Sequence, residues 1–411
     1  MRRRGIALLV LAACSAAAAS RGPAGAAPGE GEAAAPALSP PRWIAPRGAD
    51  DRAKALTRFG GDAASEKAVD AGLDWLARHA DPAGGWDADG FAERCEPGGP
   101  KCEGVGKGQH GEDVPCPFDD PISALAVMAF LSRGHVPGAS GDRYGALVEA
   151  ALSRLEHVRD PWGLALATQA FAEAEALERK GRWAAAARAG AERLLEAREA
   201  DGGWAYAAAF RAGSDVPYAG LVVQALVAAR DVGVAWPEGL AAGVDRWLDS
   251  LEADEGRLAY LLDGRQYGYT PTGANAHTAA AIRALLETGT AGKRHKAHLA
   301  LVAREAPSWQ ISFKELEVKG RGKVRVQIGN LSLYQWWYGT LAEFQAGGDG
   351  WSGWYSHLRS ALVGHQRASG CARGSWDPEG TYERETGGRV FATALAVLML
   401  EEPYRHLRLA K

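Results

Sequence analysis

The sequence predicts an all-α protein, a closed ring of about six helical hairpins with amphipathic helices outside and apolar helices inside. The stretch 187–226 shows the unit. A first helix through Glu192-Arg193-Leu194-Leu195-Glu196-Ala197-Arg198 mixes apolar and charged positions, as a helix with one wet face does, and Asp201-Gly202-Gly203-Trp204 stops it. A second helix starts near Asp215, and Tyr218 to Leu226 is apolar almost all round, as expected for burial on both sides. The contrast recurs: Val69, Leu73 and Leu76 oppose Glu66, Lys67, Asp70 and Arg78, Gly84-Gly85-Trp86 closes that helix, and Ile122 to Leu131 is nearly all apolar. Punctuation at Trp86, Trp162, Trp204, Leu258, Trp309 and Trp376 counts six such hairpins. Helix pairs this small cannot bury their apolar faces alone, and an open stack would leave an apolar end exposed unless capped, so the ring should close.

Helix, Gly-Gly-Trp turn and a second helix opened by Asp resemble the repeats of squalene–hopene cyclases and protein prenyltransferase β-subunits, which fold as α/α toroids. The chain looks most like bacterial secreted proteins carrying prenyltransferase and squalene oxidase repeats. Trp336-Trp337-Tyr338-Gly339-Thr340-Leu341-Ala342, Gly370-Cys371-Ala372-Arg373-Gly374-Ser375-Trp376-Asp377-Pro378 and Gly387 to Leu395 carry that resemblance, which covers about Asp62 to Tyr404. It implies an α/α toroid over 51–411.

The elements before and between the hairpins follow in order. Arg2-Arg3-Arg4 and the apolar run Ile6 to Ala13 have the layout of a secretory signal, too short to be a retained membrane helix. Leu11-Ala12-Ala13-Cys14 resembles a lipobox, which makes Cys14 the lipidated residue of an exported, membrane-anchored lipoprotein; cleavage after Ala17-Ala18-Ala19 would instead release a periplasmic or extracellular protein. Residues 15–50, rich in Ala, Pro and Gly, read as a disordered tether, with a short helix from Asp51 to Phe59 leading in. The loop 87–118 is too long for an ordinary connection and carries Cys95, Cys102 and Cys116; Cys371 is the remaining mature cysteine. In an exported protein four cysteines point to two disulfides with three possible connectivities. Ring closure sets the sixth hairpin beside the first, so Cys95–Cys102 and Cys116–Cys371 are the expected pairs. A zinc site from Cys95, Cys102, His110 and Cys116 is the competing reading, though its spacings fit no common zinc pattern. In the insertion 311–329, partial alternation on either side of Gly320-Arg321-Gly322 predicts a β-hairpin, either a lid or a surface ornament.

In the resembling enzymes the reactive groups lie where the inner helices begin. The matching positions here are Asp119, Asp120, Ser123, Asp160, Asp215, Tyr218, Thr270, Thr272, Asn275, His277, Tyr334, Trp336, Tyr338, Arg389 and Thr393. Asp119, Asp120, Asp215 and His277 are the candidates for catalysis, and Ser123, Tyr218, Thr272, Asn275, Tyr334, Trp336, Tyr338 and Arg389 those for binding in the cavity. Asp120-Pro121 and Asp160-Pro161 also suit helix starts, Asp as cap and Pro at the first helical position, and Asp215 suits a cap too. Cyclisation of the squalene type needs an Asp-x-Asp-Asp acid motif, which the chain lacks; Asp87-Ala88-Asp89-Gly90 misses the last acid. The Asp, Cys and His zinc ligands of a prenyltransferase are also missing at the matching helix start.

A formal charge of −3, with both signs spread along the chain, argues against nucleic acid or an anionic membrane surface as partner. The reading is therefore a toroid, without cofactor, that binds an apolar or amphipathic small molecule or a protein in its central cavity. It touches a membrane only through its lipid anchor. A cyclase-like or carbohydrate-active enzyme with unfamiliar catalytic residues and a structural scaffold are the alternatives, and oligomeric state is not readable.

Overall fold

The computed structural model describes residues 43–106, 116–206, 213–253, 256–259, 273–311, 313–318, 322–327 and 331–409. Cys14, His110, Thr270 and Thr272 lie outside them. Helix α1 (Ala49–Phe59) leads in, and outer and inner helices then alternate. The pairs are α2 (Ala63–Arg78) with α3 (Asp119–Arg133), α4 (Gly145–Leu155) with α5 (Pro161–Glu178), α6 (Ala184–Glu196) with α7 (Val216–Asp231), α8 (Leu240–Ser250) with α9 (Gly273–Leu285), and α10 (Lys293–Arg304) with α11 (Leu333–Ala346). The sixth pair is α12 (Gly348–His365) with α14 (Gly388–Leu400), separated by the short α13 (Thr381–Glu385); α15 (Glu402–Arg405) follows. Each inner helix packs on the next, and α14 returns to α3, so the ring is closed. The amphipathic pattern explains the layering. In α3 every residue from Pro121 to Ser132 is buried, whereas α2 buries Val69, Leu73 and Leu76 and leaves Lys67 and Asp70 exposed. The expected hairpin is present as β1 (Phe313–Val318) paired antiparallel with β2 (Gly322–Gln327).

The Gly-Gly-Trp turn has a defined role. The indole N–H of Trp86 donates to Leu76 O at 2.8 Å, that of Trp204 to Leu194 O at 2.7 Å and that of Trp376 to Leu362 O at 2.7 Å. Each ties a buried tryptophan to a carbonyl late in the outer helix before it, where the helix itself supplies too few donors. Glycine is needed to make the turn. Gly374 has φ +95°, and a Cβ there would stand 2.1 Å from Ala71 O of α2. Trp162 departs from the expected punctuation: it is the second residue of α5, and its indole nitrogen finds no partner among the described residues.

The face at the carboxy-terminal ends of the inner helices is filled by residues 43–47 and 402–409. The Asp231 carboxylate at the end of α7 accepts the backbone N–H groups of Trp43 and Ile44, both at 2.7 Å. The Trp43 ring stacks on His406 with centroids 3.9 Å apart, and Leu407 N donates to Trp43 O at 2.7 Å. Inside this plug Glu173 of α5 receives Arg47 at 2.7 Å and Arg405 at 2.8 Å, with all three side chains fully buried. Residues 43–47 therefore belong to the folded ring and not to the tether that composition assigned them to. Composition averages over a window, and Trp43 and Ile44 are large apolar groups within an otherwise small-residue stretch.

Glu343 on α11 is 3% exposed, and burial pushes its carboxyl up to about 7. A carboxyl raised on folding contributes stability that is complete below its unfolded value and is lost as pH rises through the folded one. Glu343→Gln should therefore leave stability nearly unchanged at about pH 5 and raise it by roughly 1–3 kcal/mol at about pH 8.5. Urea denaturation at the two pH values checks this, and an equal effect at both would contradict it.

Candidate functional site at the amino-terminal mouth of the ring

The opposite face, where the inner helices begin, carries a group of aromatic rings. Trp162 on α5 and Tyr334 on α11 come from helices on opposite sides of the ring, yet they stack with centroids 6.0 Å apart and planes 22° from parallel. Tyr382 lies 5.0 Å from Tyr334, Tyr206 lies 6.3 Å from Trp162, and Phe118 and Phe391 extend the group at either side. Tyr206, Tyr334 and Tyr382 are partly exposed, while Trp162 is buried. The rings thus form a floor across the mouth.

Below that floor the ring is filled. Tyr338, one helical turn after Tyr334, donates its hydroxyl to Pro217 O at 2.9 Å, and Tyr334 donates to the same oxygen at 3.2 Å. Both bonds cross from α11 to the start of α7, past the intervening α9. Gly220 makes the crossing possible: a Cβ there would lie 2.7 Å from the Tyr338 ring. A deep apolar tunnel at this level is therefore replaced by side chains.

The acids at the mouth each hold backbone. Asp215 caps α7, accepting Tyr218 N at 2.8 Å, and Asp160 caps α5, accepting Gly163 N at 2.7 Å, with Pro161 at the first helical position as expected. Asp119 accepts Ala88 N at 2.9 Å. Asp120 is not the cap that Asp-Pro suggested: α3 begins two residues earlier, at Asp119, with Phe118 at the cap position, and Asp120 instead faces Arg154 at 3.7 Å. Burial pushes Asp215 up to about 7, Asp160 up to about 6 and Asp119 up to about 6. Asp87 and Asp89 add repulsion at Asp119.

Among the positions singled out from the sequence, Tyr218, Tyr334, Tyr338, Asp160 and Asp215 meet at this mouth. Others point into the helix packing. The Ser123 hydroxyl accepts Trp86 N at 2.8 Å, Asn275 donates to Leu258 O at 3.3 Å, and the fully buried Trp336 packs near Trp309. Thr393 accepts Trp376 N at 3.3 Å. His277 lies beside Trp354 of α12, with Nδ1 2.9 Å from Gly273 O and Nε2 3.8 Å from Glu305, and burial pushes it down to about 4. Arg389 binds Glu103 O, Ser375 Oγ and Asp377, which ties the first hairpin's loop to the last hairpin. Trp162, Tyr206 and Tyr382 were the mouth residues that sequence reasoning missed. For Trp162 the signal was its place directly after Asp-Pro, with no Gly-Gly before it.

The cysteines do not pair as expected. No disulfide joins Cys95, Cys102, Cys116 or Cys371. Cys116 stands apart, its thiol donating to Thr386 O at 3.0 Å and pushed up to about 12 by burial. Cys95, Cys102 and Cys371 instead gather around His79, the residue that ends α2, with their sulfurs 3.6, 3.6 and 3.4 Å from His79 Nε2. Ring closure does bring Cys371 to the first hairpin, but to Cys95 and Cys102. Burial, with Cys371 and Cys95 beside it, pushes the Cys102 thiol up to about 12.

No family model and no curated protein matches the chain. Solved structures do. An inactive variant of an α-1,6-mannanase from Salegentibacter sp. HEL1_6 in complex with α-1,6-mannotetrose superposes with a TM-score of 0.54 at 12% identity, covering 84% of this chain and 99% of that one. An α-amylase from Clostridium perfringens gives 0.52 at 8% identity, covering 82% and 97%. A variant of the type II terpene cyclase MstE from Scytonema, in complex with geranylgeranyl dihydroxybenzoate, gives 0.51 at 13% identity, covering 86% and 99%. At these identities the likeness is one of fold, and the chain has the α/α toroid fold of these glycan- and terpenoid-processing enzymes.

Proposed function

We propose that the protein binds an amphipathic ligand at the amino-terminal mouth of the ring, and that an oligosaccharide is the class to test first. The carrying observation is the aromatic floor of Trp162, Tyr206, Tyr334 and Tyr382. Flat rings edged with hydroxyls suit a ligand with one apolar and one polar face, the usual chemistry of a concave binding site. The acids beside the floor support binding over catalysis, because Asp119, Asp160 and Asp215 are each engaged by a backbone N–H. The filled level at Tyr338 and Gly220 weighs against a long isoprenoid chain threaded through the ring. The Gly-Gly-Trp turns and the motif Trp336 to Ala342 support membership of the secreted prenyltransferase and squalene oxidase repeat proteins. Leu11-Ala12-Ala13-Cys14 supports an exported lipoprotein.

The test is native mass spectrometry of the full chain against oligosaccharides and isoprenoids of graded length. Trp162→Ala and Tyr334→Ala should each weaken the adduct about ten-fold or more if the floor is the contact surface. No adduct from either class, or one that these substitutions leave unchanged, overturns the reading.

A catalytic reading rests on a specific pair. The variant mannanase is inactive after replacement of two adjacent aspartates, and Asp119-Asp120 is an adjacent pair at the start of α3 in which burial raises Asp119 to about 6. A general acid needs such a raised carboxyl, and glycoside hydrolysis needs a second one beside it. Release of reducing ends from α-1,6-linked mannan that is lost in Asp119→Asn would favour this reading over simple binding.

A further inference from the structure

We propose that His79, Cys95, Cys102 and Cys371 bind one structural zinc ion that fastens the first hairpin of the ring to the last. This proposal is independent of the mouth and of any ligand there. The four donor atoms lie within 4.8 Å of one another. Zinc–sulfur bonds of about 2.3 Å and a zinc–nitrogen bond of about 2.0 Å, at tetrahedral angles, set nitrogen and sulfur about 3.5 Å apart. The separations from His79 Nε2 are 3.6, 3.6 and 3.4 Å. Three thiolates and one imidazole complete a four-coordinate site and leave no position for water or substrate, the arrangement of structural rather than catalytic zinc.

The surroundings are those of a built ligand set. His79 Nδ1 lies 2.9 Å from Trp75 O, an obligate acceptor, so Nδ1 carries the proton and Nε2 turns its lone pair toward the sulfurs. The ring is held there by Trp75, stacked at 4.3 Å, and by the edge-on Phe91 at 5.9 Å. The Cys102 backbone N–H donates to Cys95 Sγ at 3.2 Å, a bond that stabilises a thiolate. His79, Cys95 and Cys102 are buried, at 1, 8 and 7% exposure, while Cys371 is partly exposed and offers a path in. Binding releases three thiol protons to solvent, and zinc with three thiolates carries one net negative charge. Arg78 and Arg389 are the cations whose charge is felt at His79, and Arg78 donates to Arg373 O, two residues from Cys371.

The placement gives the ion a purpose. His79 ends α2 and Cys371 precedes α14, 292 residues later, on opposite sides of the seam where the ring closes. The set differs from the Cys95, Cys102, His110 and Cys116 grouping within the loop, and substitution separates the two.

The experiment is metal analysis of the full chain purified without chelator, with thiol alkylation and intact mass on the same sample. About one zinc per chain is expected, with Cys95, Cys102 and Cys371 protected from alkylation until a strong chelator is added. Cys371→Ser and His79→Ala should each lower zinc retention about ten-fold or more, and Cys116→Ser should not. Cobalt-loaded protein should show thiolate-to-cobalt charge transfer and the strong visible bands of tetrahedral coordination. Folding of each variant is followed by circular dichroism. In case Cys371→Ser does not fold, Cys371→His restores a fourth donor and should retain the metal. Protein that folds without metal, that holds a Cys95–Cys102 disulfide as isolated, or that loses its zinc with Cys116→Ser while Cys371→Ser keeps it, overturns the proposal.

Discussion

Replacing Glu173 by Gln is expected to lower the unfolding free energy by about 3–5 kcal/mol, the usual cost of removing one partner from a buried ion pair. Burial alone would raise this carboxyl, yet Arg405 and Arg47 hold it below the ordinary glutamate value. With the charge gone, the two fully buried guanidinium groups lose their direct partner and keep nearby only Glu401 and Glu402, carboxyls that burial pushes toward the neutral form. The cost comes from those stranded cations, not from a large net worth of the intact triad. Replacing all three together, as Glu173→Leu with Arg47→Met and Arg405→Met, should therefore cost far less than the single substitution. Urea denaturation at neutral pH measures both, and a triple variant weaker than Glu173→Gln would contradict the account.

Trp376→Ala should destabilise by about 3–5 kcal/mol, the range for truncating a buried tryptophan. The side chain is fully buried at the closing seam: a Cβ on Gly72 of α2 would lie 3.2 Å from its ring and 2.5 Å from Val397 of α14. Truncation opens space between the first and last hairpins and also removes the donor to Leu362 O. Trp376→Phe separates these effects. It keeps most of the ring, loses the N–H, and should cost about 1–2 kcal/mol, from the lost hydrogen bond together with a smaller packing term. Thermal unfolding of the two variants reads the difference, and equal losses would mean that packing at the seam contributes little.

The ring was legible because its signal is periodic. Buried α3 and amphipathic α2 differ over whole helices, and Gly84-Gly85-Trp86 and Gly202-Gly203-Trp204 mark turns that only glycine can make. The mouth was legible in part. Tyr334 and Tyr338 are four residues apart on one helix and so share a face. Ser123, Asn275 and His277 also stand near helix starts, but the start of a buried helix has two sides, and position alone does not choose between lumen and neighbour. Trp162 was hidden by being classed with residues of its own type, although Trp86 and Trp204 follow Gly-Gly and it does not. His79 is not legible from local spacing, because it caps the end of the preceding helix, 16 residues before Cys95. An exported chain favours disulfides, which take cysteines two at a time and leave no place for a histidine.

The clasp between Trp43 and His406 fixes the direction in which the molecule faces. The chain enters and leaves the ring on the side where Asp231 holds Trp43 and Ile44, and the aromatic floor of Trp162 and Tyr334 lies on the other. Trp43 and His406 therefore lie on the face of the ring away from Trp162 and Tyr334. A substitution at Trp43 or His406 thus acts on one face of the ring and a substitution at Trp162 or Tyr334 on the other, so the two can be varied separately.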